Sequence, residues 1–291
     1  MNNNTPDDDF SLTFLYKPFT NQKALVFIVV IGIIVFANSL ANGFVWDDLI
    51  QIEKNAAIQS LSNIPKFFSG LNFDSGSTTH SIYPFYRPLT VTFFTILNAI
   101  FGLNAFLFHL FQVSLHIANA FLIFGIFNKF YKREISFLSA LLFLVHPFVT
   151  ESVVYASALG ETLFMLFGLL AFVVLDRDEL SKKRLFTGLV LLLCSLFSKE
   201  TGALFIIAIP LYHFIFRRNN LKYILYPAFI SGAIYLFFRF FVAKTFLLKA
   251  MEYPIVAASL KERILTIPAV VYYYIKTFFT QKIYLFPSIG W

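Results

Sequence analysis

The chain has 291 residues, of which 58% are hydrophobic, 19% aromatic and only 13% charged, a balance far more apolar than that of a soluble domain. Its forty phenylalanines are more than one soluble core of this size can bury, so the composition describes a multi-pass membrane protein. The formal net charge of +7 is not a nucleic-acid signal, because the basic residues gather at the ends of apolar runs, and the single cysteine, Cys194, excludes an intrachain disulfide or a cysteine-based metal site.

Residues 1–23 read as a polar cytoplasmic tail, rich in Asn and Asp over Met1 to Phe10 and unlike a cleavable signal peptide. The apolar run Ala24 to Leu40 is about long enough to cross a bilayer core of ~30 Å at ~1.5 Å per residue; it is expected to span over about 24–42 and to act as an uncleaved signal anchor. It leads directly into Gly43-Phe44-Val45-Trp46-Asp47-Asp48. An acid at the bilayer centre costs roughly 2.5–3.5 kcal/mol on insertion scales, so this pair belongs at the water boundary. There it is either an ordinary solvated helix end or a catalytic carboxylate held at the membrane surface. The polar segment 43–87 carries turn formers and a short amphipathic piece, Ile64 to Phe68, suited to the interface. Tyr86-Arg87-Pro88-Leu89 opens an apolar stretch to Phe101-Gly102 that is too short for a span and reads as interfacial or re-entrant, within a first outer loop of 43–103.

Asn104 to Phe127 is a clear span carrying His109, Gln112, His116 and Asn119. At ~100° per residue these four fall within an arc of about 80°, a polar stripe that must meet other helices or a cavity, because lipid offers no hydrogen-bond partners. Ile135 to Val145 is short and breaks at His146-Pro147, where proline cannot continue a helix. The second outer loop, 146–160, holds Glu151 and Tyr155, four residues apart and on one face if helical; Glu161 opens the next span, Thr162 to Leu175. Leu185 to Phe197 rises to Ser198-Lys199-Glu200-Thr201-Gly202, Ala203 to Phe216 descends, and Tyr223 to Val242 rises again with Arg239 near its end. A loop (243–262) and a Tyr-rich helix (about 264–280), with Tyr272, Tyr273 and Tyr274 as interfacial anchors, complete an all-α bundle of about 7–8 spans with interfacial helices in the first outer loop.

The basic clusters around 129–133, 177–184 and 217–222 alternate onto the side of the N-terminal tail, which the positive-inside rule makes cytoplasmic. The alternation holds only if 88–102 does not cross. The opposite side then gathers the acids of the two outer loops, which can serve as oxygen ligands for a hard cation, as an acid/base pair or as solvated charge. Lys199 and Arg239 lie near outer helix ends, where their heads either hold a phosphate, Arg by bidentate contact, or snorkel to the interface.

Taken together, Phe44-Val45-Trp46-Asp47-Asp48, Tyr86-Arg87-Pro88-Leu89-Thr90, Phe108-His109-Leu110 with Leu115-His116, His146-Pro147-Phe148-Val149-Thr150-Glu151-Ser152-Val153 and Ser198-Lys199-Glu200-Thr201-Gly202 occur in the order found in GT-C glycosyltransferases. The chain most resembles the transmembrane-and-TPR protein O-mannosyltransferase group and its bacterial relatives, across about residues 25–291. The resemblance implies a GT-C-like transmembrane domain over 24–291 that moves a sugar, a mannose-like hexose, from a polyprenyl-phosphate donor to an acceptor hydroxyl of a protein, lipid or glycan on the outer or lumenal face, with inversion. It assigns the catalytic base to Asp47 or Asp48 and marks Arg87, His109, His116, His146, Glu151, Lys199, Glu200 and Arg239 as candidates for binding donor phosphate or substrate. By analogy with oligosaccharyltransferase catalytic subunits, Glu161 is the candidate ligand of a divalent metal (Mg or Mn), although other relatives work without one. The implied location is the bacterial inner membrane, or the endoplasmic reticulum membrane in a eukaryote. Two departures stand out: Ala158-Leu159 replaces the family's common Gly-Arg pair, and the chain stops at Trp291 where relatives continue with further spans and often TPR repeats, so it reads as a fragment or a short form. The alternative function is a catalytically inactive scaffold or binding subunit that keeps the fold. A transporter would show internally repeated, broken helices around a midplane site, which this sequence lacks.

Overall fold

The computed structural model describes residues 19–71, 85–245 and 258–280; most of the N-terminal tail, the turn-rich part of the first outer loop and most of the loop expected over 243–262 lie outside these. The described residues form helices and turns, with no strand among them. Helix α1 (Asn21–Phe36) is capped by Thr20, whose hydroxyl oxygen accepts from the Lys23 amide at 3.2 Å, and runs on as a 3-10 turn, Ala37–Ala41. The first outer loop folds into short turns and α2 (Ile64–Phe68) before α3 (Pro88–Phe101), which proline begins at its first position and Gly102, at φ 63°, ends. Asn104 caps α4 (Ala105–Phe127), and α5 (Arg133–Val145) and α6 (Thr150–Val154) meet at a bend of 46° around His146-Pro147. The chain continues through α7 (Leu159–Leu175), α8 (Lys182–Ser198), α9 (Ala203–Phe216), α10 (Leu221–Phe237) with a π turn over Phe238–Val242, and α11 (Leu260–Thr280).

Contacts sort the helix ends into two sets. At one end Arg133 is hydrogen-bonded to Asn21 and to the Phe19 carbonyl, Lys129 to Asp176, and Arg217 to Asp176 and Asp178, so the start of α1 and the links 128–132, 176–181 and 217–220 lie together. At the other end the links after α1, α5 and α8 meet around Asp48, Ser157 and Ser198. Helix α3 has both of its ends here, with Thr90 bonded to the Ser198 carbonyl and Asn98 to the Ile58 carbonyl. It lies across this end, as an interfacial or re-entrant helix must, and the first outer loop packs onto it: Ile52, Ile58 and Phe67 are buried against Val91, Phe94, Leu97 and Phe108. The outer faces of the long helices carry exposed Ile34, Ile207, Phe216 and Phe229, a lipid-facing belt on a bundle whose polar groups turn inward.

Among the described residues, four stretches are long and apolar enough to cross a membrane: Asn21–Ala41, Ala105–Phe127, Ala156–Leu175 and Arg218–Val242; the bent pair around His146 makes a fifth if it is one span. The expected 7–8 spans are not reached by this measure. The physical reason is length and charge: Glu200–Phe216 and the 17-residue α8 are short, and α11 carries Lys261, Glu262 and Arg263 in its first turn.

Candidate functional site

The left-handed backbone of Trp46, at φ 51°, turns the chain sharply after the first span. Non-glycine residues reach this region at a cost and mostly where the surroundings impose it. The turn closes with the Asp48 amide on the Val45 carbonyl at 2.9 Å and sends the two adjacent carboxylates to different places. Asp48 is fully buried; one oxygen accepts from the Ser157 amide at 2.7 Å and the other from the Val45 amide at 3.3 Å. It therefore ties the first outer loop to the second. Asp47 is exposed and accepts a long hydrogen bond, 3.4 Å, from Gln51 one helical turn on.

Gln51 lines a cavity of about 40 Å³ whose other walls are Arg87, Thr90, Ser157, Ala158, Gly160, Glu161 and Lys199. Four elements build it. Lys199 caps the end of α8 in extended conformation, φ −157° and ψ 145°, and its ammonium pairs with Glu161 in the first turn of α7. Arg87, just before α3, holds Glu200 in a bidentate pair, Nε to Oε2 at 3.0 Å and Nη2 to Oε1 at 2.6 Å. The Thr90 hydroxyl donates to the Ser198 carbonyl at 2.7 Å, locking α3 to the end of α8. Gly160 permits this junction, since a Cβ there would stand 2.9 Å from the Ser198 carbonyl oxygen and 3.0 Å from the Thr90 hydroxyl. Burial disfavours the Glu200 carboxylate, yet the hydrogen bonds and charge of Arg87 outweigh it and hold its pKa below the ordinary carboxylate value.

Around this cluster Tyr86 is fully buried and donates to the Phe68 carbonyl at 2.7 Å, its ring packed on Phe197 and Tyr235. The Tyr235 hydroxyl receives Arg239 Nη1 at 2.9 Å, which brings Arg239 to the edge of the cluster rather than to the cavity wall. The structure thus joins Asp47, Asp48, Arg87, Glu161, Lys199 and Glu200, with Arg239 behind them, at the end that carries the outer loops.

The remaining candidates lie elsewhere. Gln112, His116 and Asn119 act between helices: Gln112 donates to the Ser152 carbonyl at 2.6 Å, Asn119 to the Thr162 carbonyl at 3.0 Å, and the His116 ring bonds the Leu144 carbonyl at 3.0 Å between Phe36 and Phe143. His109, 1% exposed, has no hydrogen-bond partner among the described residues at either ring nitrogen. His146 accepts from the Phe148 amide at 3.2 Å and stacks on Phe278 at 4.3 Å. Glu151 is exposed on α6, away from the cavity wall. Sequence reasoning passed over Gln51, Ser157 and Gly160; only Gln51, one helical turn after Asp47, carried a spacing signal.

No group of three or more His, Cys, Asp or Glu among the described residues is placed to hold a metal ion. Glu161 faces a lysine ammonium, which would repel a divalent cation at the same oxygen. The donor set around Glu161 therefore does not suit such a metal.

No family model and no solved structure matches the chain. Among known proteins it is 31% identical over 210 residues to Protein O-mannosyl-transferase TMTC2 of Mus musculus, covering 67% of this chain and 24% of that protein. It is 29% identical over 182 residues to Protein O-mannosyl-transferase TMTC1 of Homo sapiens, covering 57% and 21%, and 28% identical over 159 residues to TMTC3 of Homo sapiens, covering 55% and 17%. The matches thus span about a quarter or less of those proteins' own length. Across up to two thirds of its length, this chain is a homologue of the transmembrane-and-TPR protein O-mannosyltransferases.

Proposed function

We propose that the chain is the membrane catalytic part of a glycosyltransferase that moves a mannose-like hexose from a polyprenyl-phosphate donor to an acceptor hydroxyl on the outer or lumenal side. The observation that carries this reading is one cavity at one end of the bundle walled by Arg87, Glu161 and Lys199, whose lining residues Gln51 and Ser157 hydrogen-bond the first outer loop's Asp47 and Asp48. Homology to proteins named as O-mannosyl-transferases supports the sugar and a protein acceptor. The basic residues at the opposite end support a cytoplasmic N-terminus.

Asp47 is the base and Asp48 the clamp. Asp47 is solvent-accessible and its carboxylate is only loosely held, as a base that must meet an incoming hydroxyl requires, whereas Asp48 is committed to two backbone amides. The acceptor oxygen attacks the anomeric carbon as its proton passes to Asp47, the bond from that carbon to the phosphate oxygen breaks, and the centre inverts. Arg87 and Lys199 neutralise the phosphate that departs with the polyprenol. In the structure these cations face Glu200 and Glu161, and a cavity of about 40 Å³ has room for roughly one water, whose share of liquid volume is ~30 Å³. Donor binding therefore exchanges the two glutamates for phosphate oxygens.

The test is transfer by membranes containing the chain, with polyprenyl-phosphate mannose compared with a nucleotide-linked mannose. Transfer from the polyprenyl donor alone, with an α-linked product from a β-linked donor, is the expected result. Transfer from the nucleotide sugar alone, or retention of configuration, would overturn the reading.

A further inference from the structure

The end of the bundle opposite the proposed active site carries a second cavity, of about 720 Å³, in the link between α7 and α8. Its floor is apolar, with half-buried Val173 and Val174 from the last turns of α7 and Leu180 from the link. Its rim is cationic, with exposed Arg177, Lys183 and Arg184. One acid, Glu179, shares the lining.

Two cations at this end are neutralised by aspartates of the link. Lys129 reaches Asp176 at 2.9 Å, and Arg217 bonds both Asp176 and Asp178. The two aspartates of the link are thus engaged by residues from other helices, and among the described residues Arg177, Lys183 and Arg184 have no carboxylate partner. Arg184 is oriented nonetheless: its Nη1 donates to the Glu179 carbonyl at 2.8 Å, fixing the guanidinium at the rim with its other N–H groups available.

We infer that this cavity is a binding site for the headgroup of an anionic phospholipid, its phosphate set among Arg177, Lys183 and Arg184 and its upper acyl chain lying on Val173 and Val174. The volume is within the range of small-molecule sites, about 300–1,000 Å³, and basic pockets between membrane helices at the cytoplasmic boundary recognise such headgroups. The apolar floor, continuous with a membrane-spanning helix, selects a lipid over a free anion. The inference is independent of the catalytic reading.

The test is native mass spectrometry of the full chain released from nanodiscs of phosphatidylcholine containing phosphatidylglycerol. The wild type is expected to retain phosphatidylglycerol in preference to phosphatidylcholine. At about five-fold per cation, the triple variant Arg177→Gln, Lys183→Gln, Arg184→Gln should bind it on the order of a hundred-fold more weakly. Glu179→Gln, which removes the lining's one acid, should bind about five-fold more tightly, a gain that misfolding cannot mimic. A control that removes Lys132 and Arg218, basic residues at the same end outside the cavity, should retain the lipid like the wild type. Equal loss in the triple variant and the control would reduce the effect to general surface charge and overturn the proposal. Displacement of the lipid by millimolar inorganic phosphate, or an unchanged affinity in Glu179→Gln, would also overturn it.

Discussion

At the scale of single residues, the chain separates two neighbouring aspartates by one backbone turn. Nothing in Trp46-Asp47-Asp48 as a string tells which acid is free. The answer is tertiary: Asp48 meets the Ser157 amide, 109 residues away. A fully buried carboxylate bonded to backbone amides contributes about 1.5–3 kcal/mol, while an exposed residue outside such features contributes within about 0.5 kcal/mol. Asp48→Ala should therefore lower stability by about 1.5–3 kcal/mol in denaturation of the detergent-solubilised protein, and Asp47→Ala by no more than about 0.5 kcal/mol. Equal losses would contradict the division into clamp and base. The Arg87–Glu200 pair was equally hidden. Both residues stood out as candidates, but a bidentate contact across 113 positions leaves no local pattern.

At the scale of elements, much was legible because membrane cost writes helix ends into sequence. The span boundaries at Ala105–Phe127 and Leu159–Leu175 fall within a few residues of the ends of their apolar runs, and the break at His146-Pro147 and the short helix Ile64–Phe68 are where expected. The polar stripe on α4 was visible too, but its use was not. Gln112 and Asn119 bond backbone carbonyls of neighbouring segments, and a wheel projection cannot distinguish that from a cavity lining. What the sequence could not show was the close approach of α3, α7 and the end of α8. Gly160→Ala should force these apart, with a cost of about 1–3 kcal/mol from overpacking and a loss of transfer activity. Gly125→Ala, in open space on α4, should stabilise the helix by up to about 1 kcal/mol. If both substitutions behave alike in thermal unfolding and transfer, the junction is not the constraint described.

At the scale of the whole molecule, the two ends are held by different electrostatics. The acid-bearing end has partly accessible pairs that a ligand can reach. At the basic end, Asp176 is 2% exposed in its side chain and accepts from Lys129 and Arg217, each at 2.9 Å, and from Tyr212 at 3.0 Å. It joins the ends of α4, α7 and α9. Burial raises its pKa, but these donors more than compensate and hold it below its ordinary 3.8. A depressed carboxylate contributes stability that is present above the unfolded value and lost as pH falls through the folded one. Stability of the wild type should thus fall below about pH 3.8, and Asp176→Asn should be less stable near neutral pH by about 1.5–3 kcal/mol with a flatter profile in that acid range. An unchanged profile in the variant would remove Asp176 from this role. The basic clusters were legible as topology signals; that Lys129 and Arg217 also share a buried acid was not, because positive charge near a helix end looks the same whether or not it is paired.

The measurement that bears most directly on the central claim is mannose transfer from a polyprenyl-phosphate donor by Asp47→Asn and Asp48→Asn variants at matched membrane expression. If Asp47 is the base, Asp47→Asn should lose transfer by about 10²–10⁴-fold while keeping wild-type thermal stability. Asp48→Asn should lose activity together with stability. Full transfer by Asp47→Asn would contradict the account, because the carboxylate assigned as the base would then do no chemistry.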